Sequence, residues 1–433
     1  MKKKKLIACI LLLSIFSIFI TSCSEQPKPP TEKTILKVCI ESSQLDDLKP
    51  VFSYYHQLYQ DVVVQPILLP AGKEQRETEI KKIQTQIMAG TFADLYLLST
   101  NNPFYQENLE PLFPNLNKMM YSGIFCDLNE FLKKDKEFNR QDFLQPILNA
   151  GKANGKQVIF PLQYRQNILE IEHSNLTEIQ NTVYLSDLLE LFQQNSYSGS
   201  QLIMQSYFSN EFASLLPELI SYEQEKVLIT KEELEKQYRT LLSFIQLENL
   251  PSIHTESKLL KSFNDCHNTI NYLTTENNPD FVLRPLPTAD SPSAAYITIY
   301  GAISAQSKYK QEAYQLLRIF FGEEAQRSDF TSSEDNFSSL SSFFTDWSVR
   351  TDISEQYRSV QYDNRTGMSD ILNKVQSLLS EESKVSFFSN LDAAFNEIIE
   401  NRYKQLSKTF PSDEEIQQDV DKMMRLLEQA AME

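Results

Sequence analysis

ILKVCIESSQLDDLKPVFSYYHQLYQDVVVQPILLPAGKEQRETEIKKIQTQIMAGTFADLYLL is the stretch from Ile35 to Leu98, and two hydrophobic periods alternate along it. Ile35 to Ile40 is a short, mostly apolar run of the kind that forms a buried strand. Leu45, Leu48, Phe52, Tyr55 and Leu58 then recur at helical spacing, with Asp46 or Asp47 as cap. Pro50 is expected in the first turn, where its missing N–H costs nothing. Asp61 to Leu69 is β-branched and apolar, and reads as a strand despite Pro66. Lys73 to Ala89 carries Ile80, Ile83, Ile87 and Met88 on one helix face, with Gly90 as the C-terminal cap. Leu95 to Leu98 supplies a third strand. Strand, helix, strand, helix, strand with short links makes an α/β fold with a parallel sheet covered on both faces.

Later segments are mostly helical. Thr230 to Glu233 and Ser412 to Glu415 match the reciprocal cap in which Ser or Thr and an acid three residues on satisfy each other's backbone N–H. The last helix lines up Ile416, Val420, Met423 and Leu427. Another, from about Lys310 to Phe321, lines up Ala313, Leu316, Leu317 and Phe320, with Gly322 past its end. Ser332 to Ser342 is Ser-rich and expected to be an exposed loop. No internal repeat has a solenoid period.

Composition narrows the function classes. The 433 residues predict two or three domains. With only nine Gly there is no glycine-rich phosphate loop and no G-x-S-x-G elbow. Only four histidines exist (His56, His173, His254 and His267), and none sits in a nucleophile or His-x-x-x-His motif. Cys266-His267 has no partner at metal-ligand spacing. The expectation is therefore a chain that is not an enzyme, with no cofactor and no metal. The odd count of Cys39, Cys126 and Cys266 cannot all pair internally, and Cys39 lies in a strand pattern that predicts a buried free thiol.

The N-terminus carries its own signal. Lys2 to Lys5 precede the apolar run Leu6 to Ile20, and the small residues Thr21 and Ser22 stand before Cys23. This is the order of a secretory signal peptide, and the run is shorter than a membrane span needs. Ile20-Thr21-Ser22-Cys23 resembles the lipobox of bacterial lipoproteins. That resemblance implies cleavage of residues 1–22 and acylation of Cys23 by a diacylglyceryl group, with palmitate-type chains as a stable membrane tether. Residues 24–30 are polar and Pro-rich and read as a spacer, so 23–33 is expected to be a flexible tether. Loss of residues 1–22, with four Lys and no acid, moves the formal net charge from −17 to −21. So acidic a chain argues against nucleic acid or anionic lipid surfaces as partners.

Taken in order, several segments resemble the extracellular solute-binding proteins of ABC importers, in particular the sugar-binding type. The likeness lies in Ile35 to Glu41, Val62 to Val64, Met88-Ala89-Gly90 with Ala93-Asp94-Leu95-Tyr96, and Cys126 to Leu132. It continues in Gly155-Lys156 to Phe160-Pro161, Tyr300-Gly301-Ala302-Ile303-Ser304 and Lys310 to Phe321. Ala93 stands where the family usually has proline, and Trp347 is the only tryptophan where sugar binders carry several. The resemblance implies two α/β lobes with a hinge and an interlobe cleft. It places residues 34–160 in the N-lobe, 161–290 in the C-lobe, 291–335 back in the N-lobe, and 336–433 as a helical completion of the C-lobe. It further implies a monomer at the extracellular face of the membrane that hands a small molecule, a sugar by type, to ABC permease subunits. A lipoprotein of the same fold acting as a sensor or scaffold, with no transported ligand, is the alternative.

Strand C-terminal ends in such sheets face the ligand crevice, which directs attention to particular side chains. Glu41 and Ser43 follow the first strand, and Ser99 follows the third. Tyr164 and Arg165 lie at the first crossing, Tyr296 and Tyr300 at the return, and Trp347 beyond the Ser-rich loop. Tyr and Trp rings stack on sugar faces while polar groups meet hydroxyls. A core role competes for each aromatic, and Arg165 could equally pair with an acid. Asp94 is expected to hydrogen-bond backbone rather than ligand.

Overall fold

The computed structural model describes residues 33–100, 109–172, 183–194, 202–204, 213–248, 260–263, 281–326, 340, 343–344, 346–353, 368–406 and 409–432. Cys23, Cys266 and most of the Ser332 to Ser342 stretch lie outside them.

Among the described residues, fifteen strands build two main sheets and two hairpins. In chain order they are β1 (Thr34–Glu41), β2 (Val62–Leu69), β3 (Leu95–Ser99), β4 (Lys152–Ala153), β5 (Lys156–Gln157), β6 (Phe160–Gln166), β7 (Ile168–Glu172) and β8 (Leu202–Met204). They continue as β9 (Ile220–Ser221), β10 (Lys226–Val227), β11 (Leu260–Phe263), β12 (Phe281–Pro285), β13 (Ala294–Ile303), β14 (Trp347–Ser348) and β15 (Lys384–Phe387).

The first sheet runs β14-β6-β13-β3-β1-β2, with β15 also pairing β13. As the opening stretch predicts, β1 pairs in parallel with β2 and β3. Pro66 is accommodated because β2 is the edge, where a missing N–H breaks no further ladder. β13 is antiparallel to both β3 and β6, so the sheet is mixed. Asp94 extends the β1–β3 ladder: its Oδ2 accepts Lys37 N–H at 2.9 Å and its Oδ1 accepts the Ser307 hydroxyl at 2.7 Å. Gly301 lets β13 meet the helix Lys310–Phe321. A Cβ there would lie 2.2 Å from Leu317 Cδ1. Gly90, at φ +69°, ends the helix Lys73–Met88 in the left-handed region that glycine tolerates. Pro50 departs from expectation. It stands in the second turn of the helix Leu45–Leu58, because a 3₁₀ turn at Ser42–Gln44 rather than Asp46 or Asp47 leads into that helix.

A second sheet, β12-β7-β11-β8, and the hairpins β4–β5 and β9–β10 complete the strands. Two hydrophobic cores result. The first gathers Leu36 to Ile168, Ala295 to Ile353, Val375 and Phe387. The second gathers Leu185 to Leu286 and Phe395 to Ala431. Both reciprocal caps form, Thr230 with Glu233 and Ser412 with Glu415. The chain passes between cores three times: between Ile168 and Leu185, between Leu286 and Ala295, and between Phe387 and Phe395. The third passage comes later than the sequence pattern implies. Leu340, Phe343, Phe344, Trp347, Val349, Ile353, Val375 and Phe387 belong to the first core rather than joining the second from 336, because β14 pairs β6 and β15 pairs β13.

Candidate functional site

The strand ends of the first sheet converge where the third passage begins. β3 and β15 approach the same edge of β13 from opposite directions, Ser99 facing Ile299 and Phe387 facing Ile297. Thr100 seals the gap, donating N–H to the Thr298 carbonyl at 2.8 Å and its hydroxyl to the Ile297 carbonyl at 2.8 Å. A crevice lined by Glu41, Ser99, Thr100, Tyr300, Leu116 and Phe388 opens here. Tyr296 meets Phe388 edge-to-face, with centroids 5.8 Å apart. These two rings are buried yet belong to neither hydrophobic core.

The nominated residues thus divide. Glu41, Ser99 and Tyr300 meet in the crevice, with Tyr296 beside it and Ser43 exposed in the turn after β1. Glu41 is already engaged: Oε2 accepts from Arg76 Nη1 at 2.7 Å and Oε1 from Nη2 at 2.9 Å. Arg76 also donates to the carbonyls of Glu110 and Pro70. This buried pair fills the crevice floor and leaves about 20 Å³ of free space. Burial, reinforced by Cys39 and Glu41, pushes the Tyr300 hydroxyl far above its ordinary pKa, so it stays a neutral donor.

Tyr164, Arg165 and Trp347 sit elsewhere, sealed at the β6–β14 edge. Tyr164 faces Trp347 across that ladder, and their exposures are 0% and 1%. Neither ring offers a face for stacking. The Trp347 Nε1–H finds no acceptor among the described residues. Arg165 donates from Nε and Nη2 to Asp346 Oδ1, at 3.1 and 2.7 Å, with both side chains buried. Gln163 locks the same residue, exchanging hydrogen bonds with the Asp346 backbone at both ends. An isolated aromatic or cation carries no sign in sequence of a partner 181 residues away.

A larger space lies on the other side of the third passage. Leu116 and Phe388 line the crevice, while the next residues, Asn117 and Ser389, line this cavity of about 320 Å³. The first core supplies Tyr121, β15 supplies Lys384, and the second core supplies Glu218, Tyr222 and Phe395. Lys384 Nζ donates to the carbonyls of Leu216 and Pro217, at 2.7 and 3.3 Å. Burial lowers its pKa, against the pull of Asp392, Asp290 and Glu218. Burial likewise raises Glu218, and it pushes Tyr222 up to about 12 even though Asn115 Nδ2 donates to its hydroxyl at 3.1 Å. No motif marks these residues. Only Ser389 and Asp392, a reciprocal cap directly after the Val385 to Phe388 run, hint in sequence at a strand-to-helix passage.

Comparison with known proteins adds the context of the fold. No family model matches the chain, and no curated protein matches it. Among solved structures it is similar to an extracellular solute-binding protein family 1 from Alicyclobacillus acidocaldarius, at 12% identity over 93% of this chain and 99% of that one, with a TM-score of 0.57. The sugar-binding protein MalE from Xanthomonas citri is 10% identical over 92% and 98%, with a TM-score of 0.54. An extracellular solute-binding protein from Staphylococcus aureus, solved with maltose, is 14% identical over 92% and 97%, with a TM-score of 0.53. At such identities the likeness establishes architecture: an α/β fold of the two-lobe solute-binding kind.

Proposed function

We propose that this chain, built on the fold of extracellular solute-binding proteins, captures a small carbohydrate between its lobes and delivers it to an ABC permease. The observation that carries the reading is the convergence of β1, β3 and β15 ends on an aromatic crevice at the passage between two cores. Tyr300 and Phe388 line it, with Tyr296 packed edge-to-face on Phe388, and Ser99 supplies a hydroxyl. Such a mixture matches sugars, whose apolar faces stack and whose edges hydrogen-bond. That similar folds include a sugar-binding protein and a protein solved with maltose supports the ligand class. Lobe closure over the crevice is the expected response, driven by contacts better made when closed. Periplasmic binding proteins as a class close about a hinge in this way. Acylation at Cys23 and residence outside the cell complete the proposal.

A thermal-shift screen of the mature chain against mono- and oligosaccharides tests it. Ligand at ~100 times its dissociation constant stabilises the fold by about 2.7 kcal/mol. Tyr296→Ala and Phe388→Ala should abolish the shift. No shift with any saccharide, from folded protein, would favour the second reading, a sensor or scaffold lipoprotein. The observation on its side is the Glu41–Arg76 pair that already occupies the crevice floor.

A further inference from the structure

One short segment, residues 213–218, is tied to all three passages between the cores. Ala213, Leu215 and Leu216 are buried in the second core, which fixes the segment to that lobe. Where the first passage begins, the Asn167 side-chain amide donates to Ser214 Oγ at 3.5 Å. In the second passage Ala289 N–H donates to the Leu215 carbonyl at 2.9 Å, and Asp290 Oδ2 accepts Glu218 N–H at 3.0 Å. On either side of the third, Lys384 Nζ reaches from β15 to the carbonyls of Leu216 and Pro217, and Ala213 N–H donates to Asn396 Oδ1 at 2.9 Å. The passages are also joined to one another. Leu286 N–H donates to the Asn167 carbonyl and Lys384 N–H to the Ser293 carbonyl, both at 2.9 Å.

We propose that segment 213–218 is a hinge keystone, pinned by Lys384, that makes the three passages yield together rather than one at a time. A hinge turns by changing φ and ψ at a few residues of each crossing. Crossings tied to one packed segment cannot turn separately, because a turn in one shifts the segment and strains its ties to the others. The lobes therefore change their relative orientation in one concerted step. Lys384 supplies the strongest tie, since an ammonium donating to two carbonyls makes charge-assisted hydrogen bonds, and its removal leaves both carbonyls without that donor. The coupling follows from the two-lobe fold and requires no ligand.

Native-state hydrogen exchange on the mature, ligand-free chain tests the coupling. The reporters are the amides of Leu286, Ala289 and Ala213, whose hydrogen bonds sit at the first, second and third passages in turn. Lys384→Met keeps the apolar stem and removes the ammonium. It is expected to speed exchange at all three by a common factor of about tenfold or more, the effect of losing a charged hydrogen bond, while the amides of β1 to β3 keep their rates. Asp290→Ala cuts a different and exposed tie, and serves should Lys384→Met disturb the fold. It should speed the same three amides together, Ala213 at the third passage included. In the double variant the two effects should be less than additive, because either cut releases the same segment. Acceleration confined to the neighbours of each substitution, unequal factors at the three passages, or no change would overturn the proposal. Equal acceleration in β1 to β3 would count against it as well, since that is loss of overall stability.

Discussion

Glu41→Gln separates a ligand contact from a structural ion pair. In the folded chain Arg76 is 1% exposed, and its guanidinium meets both Glu41 oxygens. The substitution replaces one oxygen by an NH₂ group, setting donor against donor where Nη1 now donates at 2.7 Å. It also leaves a buried cation without its counter-charge. Breaking such a pair from one side costs about 3–5 kcal/mol. For a cooperative unit of roughly 150–250 residues that lowers the melting temperature by about 6–20 °C. Differential scanning calorimetry of ligand-free protein reads it directly. A double replacement by Met at 41 and 76 should recover much of the loss, since well-packed apolar groups often substitute for a buried pair. Recovery stays incomplete because the carbonyls of Glu110 and Pro70 lose their donor. A Glu41→Gln protein with an unchanged melting temperature and weakened ligand binding would refute this reasoning and make Glu41 a contact.

Trp347→Ala should destabilise by about 3–5 kcal/mol in chemical denaturation without altering the affinity of protein that remains folded, as a sealed core ring requires. Gly301→Ala forces a Cβ into Leu317, and overpacking of this kind costs about 1–3 kcal/mol, again read by denaturant. Thr230→Ala removes one reciprocal cap at a cost of about 1 kcal/mol. Tyr222 is held protonated up to about 12 in the fold against about 10 when unfolded, so between those values the folded chain binds the extra proton. Its contribution is complete below pH ~10 and lost as pH rises through 12. Melting curves across that range should fall less steeply in Tyr222→Phe.

Local periodicity carries the parts of the fold that depend on neighbours in sequence. The β1 to β3 unit, Gly90, both reciprocal caps and the buried face of the last helix follow from spacings of two to four residues. Asp94 also behaves as expected, because its backbone role follows from its place at a strand start. What stays hidden is long-range. Arg165 gives no sign of Asp346, nor Glu41 of Arg76. Tyr164 and Trp347 read equally well as exposed platforms or as core, and only β14 joining the β6 edge decides between them. The cavity draws on residues near 121, 218, 222, 384 and 395, a set that no spacing unites.

The position of β13 bears on how the chain is made. It lies between β3 and β6, yet Ala294–Ile303 leaves the ribosome long after either neighbour. Until then β3 and β6 have no partner on their facing edges, and the three parallel strands wait beside an open half-sheet. Unpaired edges of that length invite pairing with other chains. A growing chain therefore carries two open strand edges until β13 emerges, and needs protection from pairing with other chains over that interval. A circular permutant that opens the chain between lobes and brings β13 out before β3 and β6 should close those edges earlier and aggregate less during synthesis.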